Sequence, residues 1–340
     1  MIDARTGPHR ARGAPRGEAA EGRFGGVDAH QHFWRLDRGD YGWLTPALGA
    51  IHRDFGPVDL APILARHGIG RTILVQAAPT TAETHWLLEL ARGTAFVAGV
   101  VGWTDFASRD APDAIASLAR EPALVGLRPM VQDIADDDWL AHPRLAPAFE
   151  AMIAQGLVFD ALVLPRHLPR LARVLDRHPA LAVVVDHGAK PRIREREIDA
   201  WRAEMAVVAA HPGTCCKLSG LVTEALPGDD ADDLAPWIDA LVELFGPHRL
   251  VWGSDWPVVD LAGGYDRWRA ITIEALRGLS AHERDAVLGG NAERVYLRRG
   301  CASDAFVDRP SGRRVRPSKQ RRRAEARPAG SPRPRGPAVR

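Results

Sequence analysis

Eight short apolar runs between Val27 and Asp255 constrain this chain more than any other feature. They are VDAH (27–30), TILVQA (72–77), FVAGVVGW (96–103), LVGLRP (124–129), LVFDALV (157–163), LAVVVDH (181–187), TCCKLSG (214–220) and LVWGSD (250–255). All are four to eight residues long, rich in Val, Ile and Leu, and continuous rather than alternating. That pattern suits strands buried on both faces of a parallel sheet. In the segments between them, over 113–120, 142–155, 168–178 and 232–245, apolar residues recur at three- and four-residue spacing. Asp, Pro or Gly often marks the ends, so these segments read as helices. Eight strands alternating with helices predict a closed (β/α)8 barrel. An open doubly wound sheet would be expected to carry a glycine-rich phosphate turn, and neither GxGxxG nor GxxxxGK[ST] occurs.

The chain of 340 residues divides by composition. Residues 301–340 hold twelve Lys/Arg against three Asp/Glu, and the first 25 hold five Arg against three acids. With a whole-chain charge of +2, the stretch 26–300 is left at −9. Residues 1–25 and 301–340 are rich in Arg, Pro, Gly and Ala without apolar periodicity, and are expected to be disordered extensions of a folded domain at 26–300. An arginine-rich tail suits anionic polymers, but no aromatics interleave with its charges, which argues against a nucleic-acid partner. No run approaches the ~20 apolar residues of a membrane helix, and no apolar segment of a signal peptide follows the first arginines. Three cysteines without a CxxC pair make no disulfide framework, so a reducing cytoplasm is expected.

In such barrels the chemistry collects where strands end. Strand one ends in Asp28-Ala29-His30-Gln31-His32, and side chains two apart share a face in extended chain, so His30 and His32 are expected in one cavity. Strand six ends in Asp186-His187-Gly188 and strand eight in Gly253-Ser254-Asp255-Trp256-Pro257. Gln76, Trp103, Arg128, Asp160 and Lys217 fall at the ends of strands two, three, four, five and seven. Singly, each has an ordinary explanation: a core histidine, a turn cap, a lysine reaching out of the barrel mouth. Their joint occurrence at the same end of different strands points to one site. The histidines at 52, 67, 85, 142, 178, 211, 248 and 282 fall in loops or helix ends and suggest no function; His167 is a weaker candidate.

The phrases VDAHQHFWRLDRGDYGWL, GVVGW, VGLRPMVQD, VVVDHGAKP, CKLSGLVTEA, LVWGSDWPV and GGNAERVY, running from Val27 to about Leu297, closely resemble the amidohydrolase superfamily. More narrowly, they resemble the amidohydrolase 2 branch, which contains sugar-lactone hydrolases of the L-fuconolactonase kind. The resemblance implies a (β/α)8 barrel of the metal-dependent hydrolase type and hydrolysis of a small lactone such as L-fuconolactone. It also implies a divalent metal, zinc, at His30, His32, His187 and Asp255, and a proton-handling role for Asp255. Metal-dependent relatives place a further histidine on strand five, where this chain offers Asp160 or nothing. Some lactonases of the branch are thought to work without metal, so both routes stay open.

The resemblance sets the expected roles. Asp255 is the general base, its pKa raised by partial burial, and His187 binds the carbonyl oxygen or the metal. Arg128, Lys217, Gln76, Trp103 and Trp34 contact substrate, and Tyr41, Trp43 and Trp256 extend an aromatic floor for the sugar ring. A metal-dependent decarboxylase, an aromatic-lactone hydrolase, or anionic-polymer binding through the tail are the alternatives. Oligomerisation is left open.

Overall fold

The computed structural model describes residues 25–298. The expected disordered ends therefore lie outside the described residues, apart from Gly25. Eight strands form one sheet: β1 (Gly26–Gln31), β2 (Ile69–Val75), β3 (Val97–Gly102), β4 (Leu124–Leu127), β5 (Val158–Ala161), β6 (Val183–Val185), β7 (Thr214–Leu218) and β8 (Leu250–Trp252). They pair in chain order, every pair parallel. The ring closes just beyond β8, where Asp255 N donates to His30 O and His32 N donates to Trp256 O, both at 2.8 Å. The eight apolar runs are these eight strands.

The helices are α1 (Pro57–His67), α2 (Thr81–Gly93), α3 (Ala111–Leu118), α4 (Ala146–Gln155), α5 (Leu168–Arg177), α6 (Asp199–Ala209), the single turn α7 (Leu221–Glu224), α8 (Ala231–Phe245), α9 (Gly264–Ala275) and α10 (Ala281–Asp285). Differences from the sequence expectations sit at the starts. α3 begins earlier than 113 because Pro112 occupies its first turn, where a missing N–H costs nothing. The helix expected from His142 begins at Ala146, since a tight 3-10 turn at Pro143–Leu145 precedes it. α8 starts where Asp230 accepts from the N–H groups of Asp232 and Asp233.

Alternation along the strands separates two apolar cores. Val27, Ala29, Ile73, Val75, Val101, Val125, Val158, Val184, Cys215 and Val251 fill the inside of the ring, with Ala292 and Tyr296 packed against them. The opposite faces, among them Phe159, Cys216 and Trp252, pack under the helices in the larger core. Each such aliphatic side chain contributes roughly 1.5–3 kcal/mol by leaving water. Two residues on from Val158, Val184 and Cys215, the same inward face presents Asp160, Asp186 and Lys217. The barrel interior thus changes from hydrocarbon to charge as it approaches the C-terminal ends of the strands.

Candidate active site

The end of β1 is aimed by its neighbours. Its pairing register with β2 shifts between Asp28 and Gln31, an irregularity of the kind that redirects side chains beside functional sites. The buried Asp28 carboxylate accepts from His30 N (3.2 Å), Ser254 N (2.8 Å) and Tyr265 Oη (3.1 Å), tying β1 to the segment after β8. Burial pushes that carboxyl up to about 6, against the lowering effect of these hydrogen bonds. Gly253 is required here, because a Cβ at that position would stand 2.6 Å from the His30 Cβ. After β6, His187 has a left-handed backbone (φ 53°), as does Asp255 after β8 (φ 59°). Such conformations cost on the order of 1–3 kcal/mol each and gather at functional sites.

Asp255 Oδ1 is the point on which three imidazoles converge. It lies 3.3 Å from His32 Nε2, 3.7 Å from His30 Nε2 and 3.9 Å from His187 Nε2, and the two β1 rings approach to 3.2 Å between Nε2 atoms. His32 Nδ1 donates to Val75 O at 2.8 Å; a carbonyl can only accept, so Nε2 keeps its lone pair toward the cluster. His187 Nδ1 pairs with Ser219 Oγ at 2.8 Å, which likewise turns its Nε2 inward. Burial lowers all three imidazoles, His187 to about 4, so they are neutral at neutral pH. Burial would raise Asp255, but His187, His32 and His30 outweigh it and hold the carboxylate well below its usual range. The expectation of a raised Asp255 pKa is thereby corrected: the histidines decide the shift.

This donor set fits a divalent cation. Ligand atoms of His30, His187 and Asp255 all lie within 4.8 Å of one another. The three imidazole nitrogens stand 3.3 to 3.9 Å from Asp255 Oδ1, near the roughly 3.3 Å edge of a tetrahedron with ~2.0–2.1 Å bonds, while His32 lies outside the group whose ligand atoms are all within 4.8 Å. Neutral imidazoles with one carboxylate are nitrogen and oxygen ligands of the sort zinc takes.

Beneath the cluster lies a second polar layer that the sequence assigned differently. Lys217 is fully buried, in contact with Asp160 Oδ2 and 3.0 Å from both Asp186 Oδ1 and His30 Nδ1. It therefore does not reach a substrate, as its strand-end position had suggested. Asp160, its other oxygen taking the Tyr296 hydroxyl at 2.7 Å, lies in this layer rather than as a fourth ligand. Arg128 Nη1 stands 3.3 Å from Asp186 Oδ2 and 3.4 Å from His30 Nε2, so it does border the cluster. Gln76 is buried and donates through Nε2 to Arg128 O (2.7 Å), while Arg128 Nη2 donates to Gln76 O; it positions the arginine. His167 is buried and its Nδ1 accepts from Leu164 N at 3.1 Å, a local turn contact away from the cluster.

Of the expected aromatic floor, Trp34, Tyr41 and Trp256 are buried as packing. Trp34 donates to Arg53 O and stacks edge-on with Trp43 and Phe55, each 5.5 Å between ring centroids. Trp43 and Trp103 instead line a cleft of about 450 Å³ among the segments that follow β1 to β4, together with Trp139, Phe106, Met130 and Asp105. Residues that sequence reasoning missed are Ser219 and Glu83, while Asp186 was placed at the end of strand six without a role. The Thr80-x-x-Glu83 spacing of a capping box was a readable signal for Glu83. Its carboxylate accepts from Ala77 N (3.0 Å) and Ala78 N (2.8 Å), fixing the turn after β2 from which Trp43 hangs by its bond to Ala77 O.

A profile of the amidohydrolase family matches residues 27–298. The chain belongs to the amidohydrolase family. This amidohydrolase is 50% identical over 290 residues to an L-fucono-1,5-lactonase of Burkholderia ambifaria, covering 84% of this chain and 97% of that protein. A second L-fucono-1,5-lactonase, from Burkholderia multivorans, is 39% identical over 79% of this chain and 95% of its own length. Among solved structures, a zinc-bound amidohydrolase from Burkholderia multivorans superposes with a TM-score of 0.76 at 38% identity, over 80% of this chain and 98% of that one. The (β/α)8 fold and the family expected from the motifs are those found. Among the described residues, no helix is long and apolar enough to cross a membrane.

Proposed function

We propose that this amidohydrolase opens the ring of a small sugar lactone, with L-fucono-1,5-lactone the first substrate to try. The single observation behind the reading is the convergence of three neutral imidazoles on the ionised Asp255, within a chain 50% identical to a lactonase of that specificity. Zinc is the ion we assign to His30, His32, His187 and Asp255; when bound it supplies Lewis acidity and a water whose pKa falls toward ~7. Asp255 takes the proton of the attacking water and returns it to the ring oxygen as the C–O bond breaks, leaving a hydroxy acid. Arg128, pinned by Asp186 and Gln76, offers its charge to the oxyanion. His187 is held for its role by Ser219, and Trp103 and Trp43 face the sugar ring.

The catalytic unit is taken as residues 26–300, with the basic tail an appendage to it. A reducing cytoplasm suits Cys215 and Cys216, which are buried free thiols. Decarboxylases share the fold, but at 16% identity the likeness extends no further than that. The test is a panel of aldonolactones in a pH-indicator assay, alongside elemental analysis of the purified protein. Acid release from L-fucono-1,5-lactone with about one divalent ion per chain is expected. Acid release from no lactone at all would contradict the reading.

A further inference from the structure

The cleft among the segments that follow β1 to β4 has a lining that suggests what it refuses as well as what it holds. Trp103 directly follows β3, Pro129 directly follows Arg128, and Trp43 is anchored to Ala77, the residue after Gln76. The cleft therefore opens off the strand ends that carry Arg128. Its about 450 Å³ lies within the roughly 300–1,000 Å³ typical of small-molecule sites. Three indoles, Trp43, Trp103 and Trp139, share this lining with three carboxylates, Asp40, Asp105 and Asp133. Indole faces cover the C–H surface of a sugar ring, while carboxylates accept from its hydroxyls.

The charges are unbalanced. Asp40 is ion-paired with Arg38 at 2.5 Å. Asp105 and Asp133 are exposed and, among the described residues, have only neutral partners: Ala107 N to Asp105 Oδ1 at 2.9 Å, and Gln132 Nε2 to Asp133 at 3.3 Å. No lysine or arginine among the described residues lines the cleft. We infer that Asp105 and Asp133 set the charge specificity of this site, admitting uncharged polyhydroxylated lactones and excluding lactones that carry a carboxylate. The inference rests on the lactone reading above and assigns its discrimination to two residues. A substrate carboxylate brought to about 12 Å from each aspartate, at an effective dielectric near 20, loses on the order of tenfold in affinity per carboxylate. The same aspartates cost a neutral polyol nothing and offer it acceptors.

The test compares kcat/KM for L-fucono-1,5-lactone with that for a hexaro-1,5-lactone bearing a C6 carboxylate, in wild type, Asp105→Asn and Asp133→Asn. Wild type is expected to prefer the neutral lactone by on the order of 100-fold. Each variant should narrow that ratio about tenfold, and added salt should narrow it in wild type by raising only the anionic rate. A wild-type ratio within about twofold of unity, or one that neither variant alters, overturns the inference while leaving the lactonase reading intact. Hydrolysis of neither lactone by wild type overturns both.

Discussion

Two polar layers lie inside this barrel, one of three imidazoles around a carboxylate and one of two carboxylates around a lysine, and they are held in different ways. In the lower one, Lys217, Asp160 and Asp186 are wholly buried and ion-paired through the lysine, with Tyr296 bonded to Asp160 and Arg128 paired with Asp186. In the upper one, His32, His187 and Asp255 keep 4, 3 and 5% of their surface exposed, and their free nitrogens and oxygen face one point. The difference teaches where function resides. The lower layer's charges pair mainly with one another and hold His30 from below through Lys217 and Arg128, so it is a support, whereas the upper layer directs its donor atoms at one point and is the site.

Substitutions should separate the layers. His30→Ala and His32→Ala each remove one of the converging nitrogens and are expected to lower kcat/KM by about a thousandfold or more. For His32→Ala the chemical-denaturation midpoint should imply a stability change below about 1.5 kcal/mol. Full activity in either variant would break the grouping of the two rings. Lys217→Met should do the reverse in its first effect. It leaves Asp160 and Asp186 buried without their shared cation, and is expected to cost about 3–5 kcal/mol of unfolding free energy. Wild-type stability in that variant would show that the lower layer supports nothing.

Glu83 gives the smallest and most pH-sensitive contrast. Burial pushes its carboxyl up to about 7 from an ordinary 4.5, opposed by the bonds from Ala78 and Ala77. A raised carboxyl favours the fold while protonated, so its contribution is full below 4.5 and is lost as pH rises through 7. Glu83→Gln lacks this dependence. The stability of wild type relative to the variant should therefore fall by roughly 3 kcal/mol between pH 5 and 8, measured by denaturant unfolding at each pH. A pH-independent difference would place the Glu83 titration outside this range.

How far these layers could be read from sequence follows from what each residue needs. The eight strands were legible because continuous Val/Ile/Leu runs have few other uses, and His30, His32, His187 and Asp255 because they end such runs. Lys217 was misplaced for a physical reason: a strand-end lysine is expected to reach water, and only the inward neighbours Asp160 and Asp186 make its burial tolerable. Those pairings span 57 and 31 residues and leave no local pattern. Trp34 was misread in the same way, because an aromatic after β1 packs or faces a ligand according to a partner, Phe55, that periodicity does not reveal. The Asp255 shift also depended on the three-dimensional count of histidines around it.

The central claim is that side chains from β1, β6 and β8 form one hydrolytic site with Asp255 at its focus. The most direct measurement is hydrolysis of L-fucono-1,5-lactone by Asp255→Asn, with circular dichroism as the control for folding. Loss of turnover by about a thousandfold or more in a normally folded protein is the predicted result. A folded Asp255→Asn protein with wild-type turnover would contradict it.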